Sequence, residues 1–504
     1  MRYLMGIDNG GTFSKAAIFD EGGNQIAVAS LPTKMLTPKP GYTERDMQDL
    51  WNVNVETIKL AIQKAGLKGE DIVGVSFCGH GKGLYLVGEN GSFPYNGIVS
   101  TDTRAWRQVN RWYEDGTKDK VYKKTFQEIL ACQPVSLLAW LKENQPEVID
   151  KTKYIFAVKD FIRYQMTGEA FAEFTDFSGG NLVNMESGSY DRELLSLFGL
   201  EEVYDKLPPL RHAADVCGHI TKETAVLTGL KEGTPVSAGM FDVNACGVAS
   251  GLVSEKELCM IAGTWSINEF IAKKPVLDGS VALNSMFCIP GYYLIEESSP
   301  TSAGNMEWFI RNLLSYEKSE LEEHGKSIYD LTNDWVKSID PRENKIVFLP
   351  FLNGSNENPL AKGTFVGLTG YHSKKHMLYA VYEGIVFSHV THVHKLLKNR
   401  ELPKSIRLSG GAAKSDVWVQ IFADALQIPI DVIEDKEIGA AGAAMAAGIG
   451  AGVYTSYQDA VEKTVKISKT LMPRKEYRQI YQEKYKIYRS VVEGLANSWS
   501  YFEN

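Results

Sequence analysis

Cysteine is scarce in this chain, with six in 504 residues, and the six (Cys78, Cys132, Cys217, Cys246, Cys259, Cys288) never form a Cys-x-x-Cys pair or gather with histidines. That spacing excludes a structural zinc site and a disulfide scaffold, and it reads as small buried thiols of a reducing compartment. No Gly-x-x-x-x-Gly-Lys-Ser/Thr segment occurs, which disfavours a P-loop nucleotide site. Positive charge is not concentrated anywhere; the formal net charge is −8 with the signs interspersed. The chain therefore offers no basic footprint for nucleic acid and no polybasic membrane patch. No apolar run approaches the ~18 residues that span a bilayer. Met1-Arg2-Tyr3-Leu4-Met5 enters a strand at once, so no signal peptide is expected and the cytoplasm is the expected location.

What remains is a large ordinary globular composition, 44% hydrophobic and 23% charged. The length exceeds what one core usually supports, so two domains are expected. The most informative stretch is Gly6 to Lys15, read as strand, Gly-Gly-Thr turn, strand. Gly11 lacks the Cβ that would block close approach, and with Thr12 it can present backbone N–H groups and a hydroxyl to phosphate oxygens. Asp8 ends the first strand, where it could hold a metal ion or its water, and Lys15 could add positive charge. Alone, this is also how an ordinary glycine hairpin reads. A second copy, Leu258 to Ile267 with Gly263-Thr264 at its turn, lies about half a chain later. Two such hairpins suggest two related halves that grip one polyphosphate.

Between and after the hairpins the pattern alternates helix and buried strand. Helical spacing covers 52–66, 106–113, 135–143, 376–396, 416–425, a Gly/Ala-rich stretch at 439–449 and an aromatic stripe over 474–496. Apolar runs suited to strands are 72–78, 236–240, 345–350 and 405–409. This alternation predicts α/β architecture, with a boundary near Ala249-Ser250-Gly251 that gives domains 1–249 and 250–504.

The paired hairpins, their order and their spacing resemble the FGGY carbohydrate kinases of the actin-like ATPase superfamily, over essentially the whole chain. The resemblance implies two actin-like (ribonuclease H-like) α/β domains around a central cleft, and ATP-dependent phosphorylation of a sugar hydroxyl. ATP and Mg²⁺ are the implied cofactors. Gly239-Met240-Phe241-Asp242 matches the Gly-x-x-Asp turn that carries the family's catalytic base, so the resemblance gives Asp242 that role; its plain reading is a helix N-cap. Ser409-Gly410-Gly411-Ala412-Ala413-Lys414-Ser415 resembles the adenosine motif, where Gly410 and Gly411 would let adenine lie against the main chain and Lys414 or Ser415 would reach the ring or ribose. Thr301 to Asn305, with Gly304, resembles the segment lining the nucleotide cleft, or else simply starts a helix. The nucleotide set is thus Asp8, Gly11, Thr12, Lys15, Gly263, Thr264, Gly304, Gly410, Gly411 and Ser415, with Asp8 toward Mg²⁺.

The sugar side is expected on two loops. Gly79-His80-Gly81-Lys82-Gly83 follows a buried strand; His80 and Gly81 would meet hydroxyls, and Lys82 either joins them or is solvated. Asp102 either accepts from sugar hydroxyls or caps the helix through Trp106. Several stretches, Pro40 to Met47 and Phe348 to Asn356 among them, are most similar to family members acting on L-xylulose. A ketopentose is therefore the expected substrate; D-xylulose, L-ribulose, erythritol and glycerol are the alternatives, and a non-sugar actin-like ATPase is the other class. Two departures bear on the sugar: Val243 follows Asp242 where many members have Asn or Gln, and His80 stands where the L-xylulose pattern has Gln. The expected partner is a small sugar, with no nucleic acid and no membrane, and a homodimer is left open.

Overall fold

The computed structural model describes residues 2–281, 283–398, 400–434 and 436–502. The chain forms two compact units, and both are discontinuous in sequence. Unit 1 comprises Met1–Val253, Ile271–Ile295 and Lys436–Val465; unit 2 comprises Ser254–Phe270, Glu296–Asp435 and Lys466–Asn504.

In unit 1 the strands are β1 (Tyr3–Asn9), β2 (Phe13–Asp20), β3 (Gln25–Pro32), β4 (Ile72–Gly79), β5 (Val216–His219), β6 (Pro235–Ser237) and β7 (Met240–Phe241). The sheet runs β5-β6-β4-β1-β2-β3, with β7 also on β4. β1 pairs antiparallel with β2 and parallel with β4, and β6 continues the parallel run before antiparallel β5. Its core joins Met5, Ile7, Ile18, Val75 and Phe77 to the inner face of helix α1 (Met47–Ala65). Asp46 caps that helix by accepting from the Asp49 N–H at 2.8 Å, and Gly66 ends it as the sequence predicts.

A second seven-stranded sheet, in which β8 (Cys259–Ala262), β9 (Ser266–Ala272), β10 (Tyr293–Ser299), β11 (Ile406–Ser409), β12 (Ile430–Ile433) and β13 (Ile467–Leu471) are ordered β10-β9-β8-β11-β12-β13, follows the same plan, with a further edge strand, Leu283–Met286, beside β10. β8 pairs antiparallel with β9 and parallel with β11, β11 is parallel to β12, and β13 closes antiparallel. The repeat expected from two glycine hairpins is therefore a repeat of whole sheets.

Two elements differ from the sequence expectation. The strand predicted over 236–240 is broken: β6 stops at Ser237, the chain kinks, and β7 rejoins the end of β4 with Phe241 opposite Gly79. The kink is at Gly239, whose φ is +84° and where a Cβ would lie 2.4 Å from the Phe77 carbonyl oxygen. The Gly/Ala-rich helix, observed over Ile438–Gly450, belongs to unit 1 although it lies far beyond residue 250. Its backbone meets β1 at Gly6 so closely that a Cβ there would lie 1.8 Å from the Ala440 oxygen. Small residues on both sides are what permit this approach.

Candidate active site

The two hairpin turns are built alike. In unit 1, Asn9 faces Ser14 across the ladder, and Gly10 N–H donates to the Phe13 carbonyl at 3.1 Å, leaving residues 10–12 as the loop. In unit 2, Ala262 faces Ser266, and Gly263 N–H donates to the Trp265 carbonyl at 3.2 Å. Thr12 and Thr264 are exposed at these tips, followed by the exposed aromatics Phe13 and Trp265. Gly11 and Gly263 share one property: neither has a left-handed φ, and no atom lies within 4 Å of where a Cβ would be. The fold itself does not need glycine at either position.

Polar atoms without partners collect beneath the first turn. Asp8 Oδ1 and both side-chain amide atoms of Asn9 are buried and have no hydrogen-bond partner. Burial raises the Asp8 pKa, against the opposing pull of Lys15. Lys15 Nζ sits 2.8 Å from Glu437 Oε2; burial works against its charge, but Glu437 and Asp8 hold it charged. Burial also raises the Cys78 thiol well above its usual range, and the charges of Asp8 and Asp242 add to this, so both carboxylates act on one point at the end of β4. Among the described residues no cluster of three or more His, Cys, Asp or Glu could hold a metal. One carboxylate with an orphan oxygen fits a hard cation held chiefly by phosphate oxygens and water, as Mg²⁺ usually is.

Sequence reasoning missed Arg45. It is 1% exposed, and its Nη2 donates to the carbonyls of Gly10 and Gly11, which pins the turn from behind. Its Nε and Nη1 have no partner. A buried arginine has no periodicity or turn signal, and although Arg45 lies in the Pro40 to Met47 stretch, nothing there marks it as the brace of a remote turn.

Asp242 is the first residue of helix Asp242–Ala249, and Phe241 occupies the cap position, so the capping role read from sequence is not what the fold uses. The side chain is half-buried at the end of β7. Around it, Gly81 lies so close to Phe241 that a Cβ would sit 2.3 Å from the ring, and Lys82 Nζ lies 5.9 Å from that ring's centroid. Lys82 itself is held at φ +65°. His80 is buried; its Nε2 bonds the Tyr85 hydroxyl at 2.9 Å and its Nδ1 the Gly81 carbonyl at 3.3 Å. Burial, with the Arg45 charge nearby, lowers its pKa to about 3, so the ring is neutral at physiological pH. Asp102 does not cap the helix that starts at Trp106, whose cap position is Ala105. It instead takes the Arg104 guanidinium on both oxygens at 2.9 and 2.7 Å and the Thr43 N–H at 2.7 Å. The two loops are tied together by backbone pairing just beside them, with Leu84 N–H donating to the Ile98 carbonyl at 2.9 Å and Ile98 N–H to the Leu84 carbonyl at 2.8 Å.

In unit 2 the nucleotide motifs converge. A Cβ on Gly410, where φ is +90°, would lie 2.8 Å from the Ala262 carbonyl and 3.0 Å from Gly263 N. Ser302 and Ala303 N–H donate to the Thr264 and Gly263 carbonyls, and the helix Gly304–Leu313 starts there. Buried His389 ties this corner together, with Nε2 to Ser302 Oγ at 2.9 Å and Nδ1 to Asn268 Oδ1 at 2.8 Å; sequence gave no sign of it. Ser415, read toward adenosine, caps helix Asp416–Leu426 and donates to Asn333 Oδ1 at 2.5 Å, while Asp416 pairs with Lys469.

Comparison with known proteins identifies the family. Residues 3–249 match the sequence model of the FGGY family of carbohydrate kinases, N-terminal domain, and residues 258–451 match that of its C-terminal domain. The chain is 37% identical over 496 residues to L-xylulose/3-keto-L-gulonate kinase of Escherichia coli (strain K12), covering 98% of this chain and 97% of that one. It is 34% identical over 498 residues to a probable L-xylulose kinase of Pasteurella multocida (strain Pm70), covering 98% and 99%. The fold matches a crystal structure of xylulose kinase from Lactobacillus acidophilus with a TM-score of 0.89 at 24% identity, over 100% of both chains. With two FGGY domains in order and relatives above 30% identity along its length, the chain belongs to the FGGY family of carbohydrate kinases and is an ATP-dependent sugar kinase.

Proposed function

We propose that this kinase phosphorylates a ketopentose, with L-xylulose first, using Asp242 as the general base. The observation that supports the phosphate sites is the open space at Gly11 and Gly263, where glycine serves no structural need. Gly11-Thr12 and Gly263-Thr264 donate to the phosphates of ATP, Gly304 and the Gly410-Gly411 loop accept the nucleoside, and Ser415 holds that loop by capping the next helix. Lys15 adds charge beside Asp8. Asp8 orients Mg²⁺, which when bound neutralises charge on the phosphates. The sugar is held on the Gly81-Lys82 loop beside Phe241, with His80 and Asp102 shaping it. Asp242 takes the proton of the attacking hydroxyl, while the rest of catalysis is positioning and charge stabilisation. Functionally, residues 1–249 supply sugar and base and residues 250–504 the nucleotide. Use of ATP as co-substrate supports a cytoplasmic location, and a homodimer is its proposed assembly.

One observation favours a second substrate class. The half-buried Lys82 ammonium faces the Phe241 ring next to the base. A cation there suits a keto-sugar acid, the kind of substrate named for the Escherichia coli relative. Coupled ADP release measured over pentuloses, polyols and 3-keto-L-gulonate decides between them. A Lys82→Met variant should lose the acid and keep L-xylulose. A preference for glycerol over every ketose would refute the substrate class.

A further inference from the structure

The turn that carries Asp242 is gripped at both ends by a buried charge cluster. At one end, Arg163 Nη1 donates to the Ala238 carbonyl and to Asp160 Oδ1, both at 2.7 Å. At the other, Phe241 N–H donates to Thr175 Oγ1 at 2.8 Å, and that hydroxyl donates to Glu173 Oε2 at 2.6 Å. Between them, Lys159 Nζ lies 3.0 Å from Asp160, 3.4 Å from Glu173 and 2.9 Å from Asp176. Arg163, Lys159, Asp160 and Glu173 are fully buried with Thr175, and Asp176 is buried as well. Burying five charged groups is costly unless they are paired, and such a cluster adds little stability over apolar packing. What it does supply is a connected polar network that fixes backbone geometry.

The two backbone groups it holds, the carbonyl of 238 and the N–H of 241, flank the kink at Gly239, and Asp242 follows directly. We infer that Thr175, backed by Glu173, Lys159 and Arg163, is a positioning residue that aims the Asp242 carboxylate at the sugar hydroxyl. This rests on the reading of Asp242 as the base. Thr175 is the sensitive link: its single proton goes to Glu173, so its oxygen is free to accept from Phe241. Valine in its place keeps the shape and leaves the Phe241 N–H buried without an acceptor.

The test measures kcat, both KM values and thermal stability for Thr175→Val, Thr175→Ser, Asp242→Asn and the Thr175→Val/Asp242→Asn double variant. A misaimed base loses about 10- to 10²-fold in rate. Thr175→Val should lower kcat by that amount with both KM values within about twofold, and Thr175→Ser should restore most of it. In the double variant the loss should be no greater than in Asp242→Asn alone, because residues acting as one unit are not additive. Should Thr175→Val fail to fold, Thr175→Cys, whose thiol is a weak acceptor, should show the same kcat-only loss. Wild-type kcat in the folded valine or cysteine variant, with Asp242→Asn inactive, overturns the positioning role alone. So does a Thr175→Val loss that adds in full to that of Asp242→Asn. Near-normal turnover by Asp242→Asn removes the base reading and this inference with it.

Discussion

Gly263→Ala separates a glycine required by the fold from a glycine required by a ligand. In the protein alone the new methyl meets nothing within 4 Å, and the backbone there is not left-handed. Stability should hold or rise by about 0.4–1 kcal/mol, because alanine restricts the unfolded chain. For ATP the methyl occupies the space a phosphate oxygen needs beside the Gly263-Thr264 backbone. Losing one hydrogen bond to a charged group costs about 1.5–3 kcal/mol, which is about 10- to 150-fold in affinity. The assay is titration calorimetry of ATP with Mg²⁺ and separately of the sugar, alongside thermal unfolding. The expected outcome is weaker ATP, unchanged sugar and an undiminished melting temperature. Gly410→Ala is the contrast: its φ of +90° and the 2.8 Å approach to Ala262 make the fold itself suffer, by about 1–3 kcal/mol. If Gly263→Ala binds ATP within twofold of wild type, the hairpin is not a phosphate site, and if it unfolds, the turn has a structural need for glycine.

Four further outcomes are expected. Asp242→Asn should lose about 10²- to 10⁴-fold in kcat with ATP affinity intact, measured by calorimetry beside steady-state rates. Asp102→Ala should raise sugar KM, and it should also destabilise the protein, because buried Arg104 loses its two-oxygen partner and keeps only the Glu44 carboxylate at 2.7 Å; denaturant unfolding would detect this. His80→Ala should raise sugar KM far more than ATP KM, and because the ring stays neutral, no sugar-KM transition near pH 6.5 should disappear with it. Asp176, lifted by burial to about 7 beside Lys159, Asp160 and Glu173, binds its proton more tightly folded than unfolded. Its contribution to stability is therefore present below about pH 4 and lost as pH rises toward 7. Asp176→Asn should flatten that part of the stability profile; an unchanged profile would show that Asp176 does not titrate there.

Much of the proposed site can be read from the sequence because it is local. The Gly-Gly-Thr and Gly-Thr turns, the Gly-x-x-Asp turn and the Gly-Gly loop are each short runs of adjacent residues that stand out along the chain. The helices at 47–65 and 374–397 were legible from periodicity, although each starts earlier than its apolar spacing suggests. What escaped were residues whose partners are remote in sequence. Arg45 braces a turn about 34 residues away, His389 joins side chains 87 and 121 residues away, and Arg163 holds a carbonyl 75 residues away. Nothing in their neighbourhoods announces this.

The sequence by itself determined the reaction class, since the turns that carry the family resemblance are short, ordered and chemically constrained. It also determined the repeat, since each hairpin begins a sheet. Only the tertiary structure decided that the Gly/Ala-rich helix at 438–450 completes unit 1, because close backbone packing joins residues whose separation along the chain carries no signal. It alone decided which glycines serve the fold and which leave room for a ligand, because that depends on what lies within a few ångströms of a Cβ. And it alone paired Asp102, which the sequence offers as a sugar-hydroxyl acceptor or a helix cap, with Arg104, because a buried guanidinium must find its carboxylates wherever the fold delivers them.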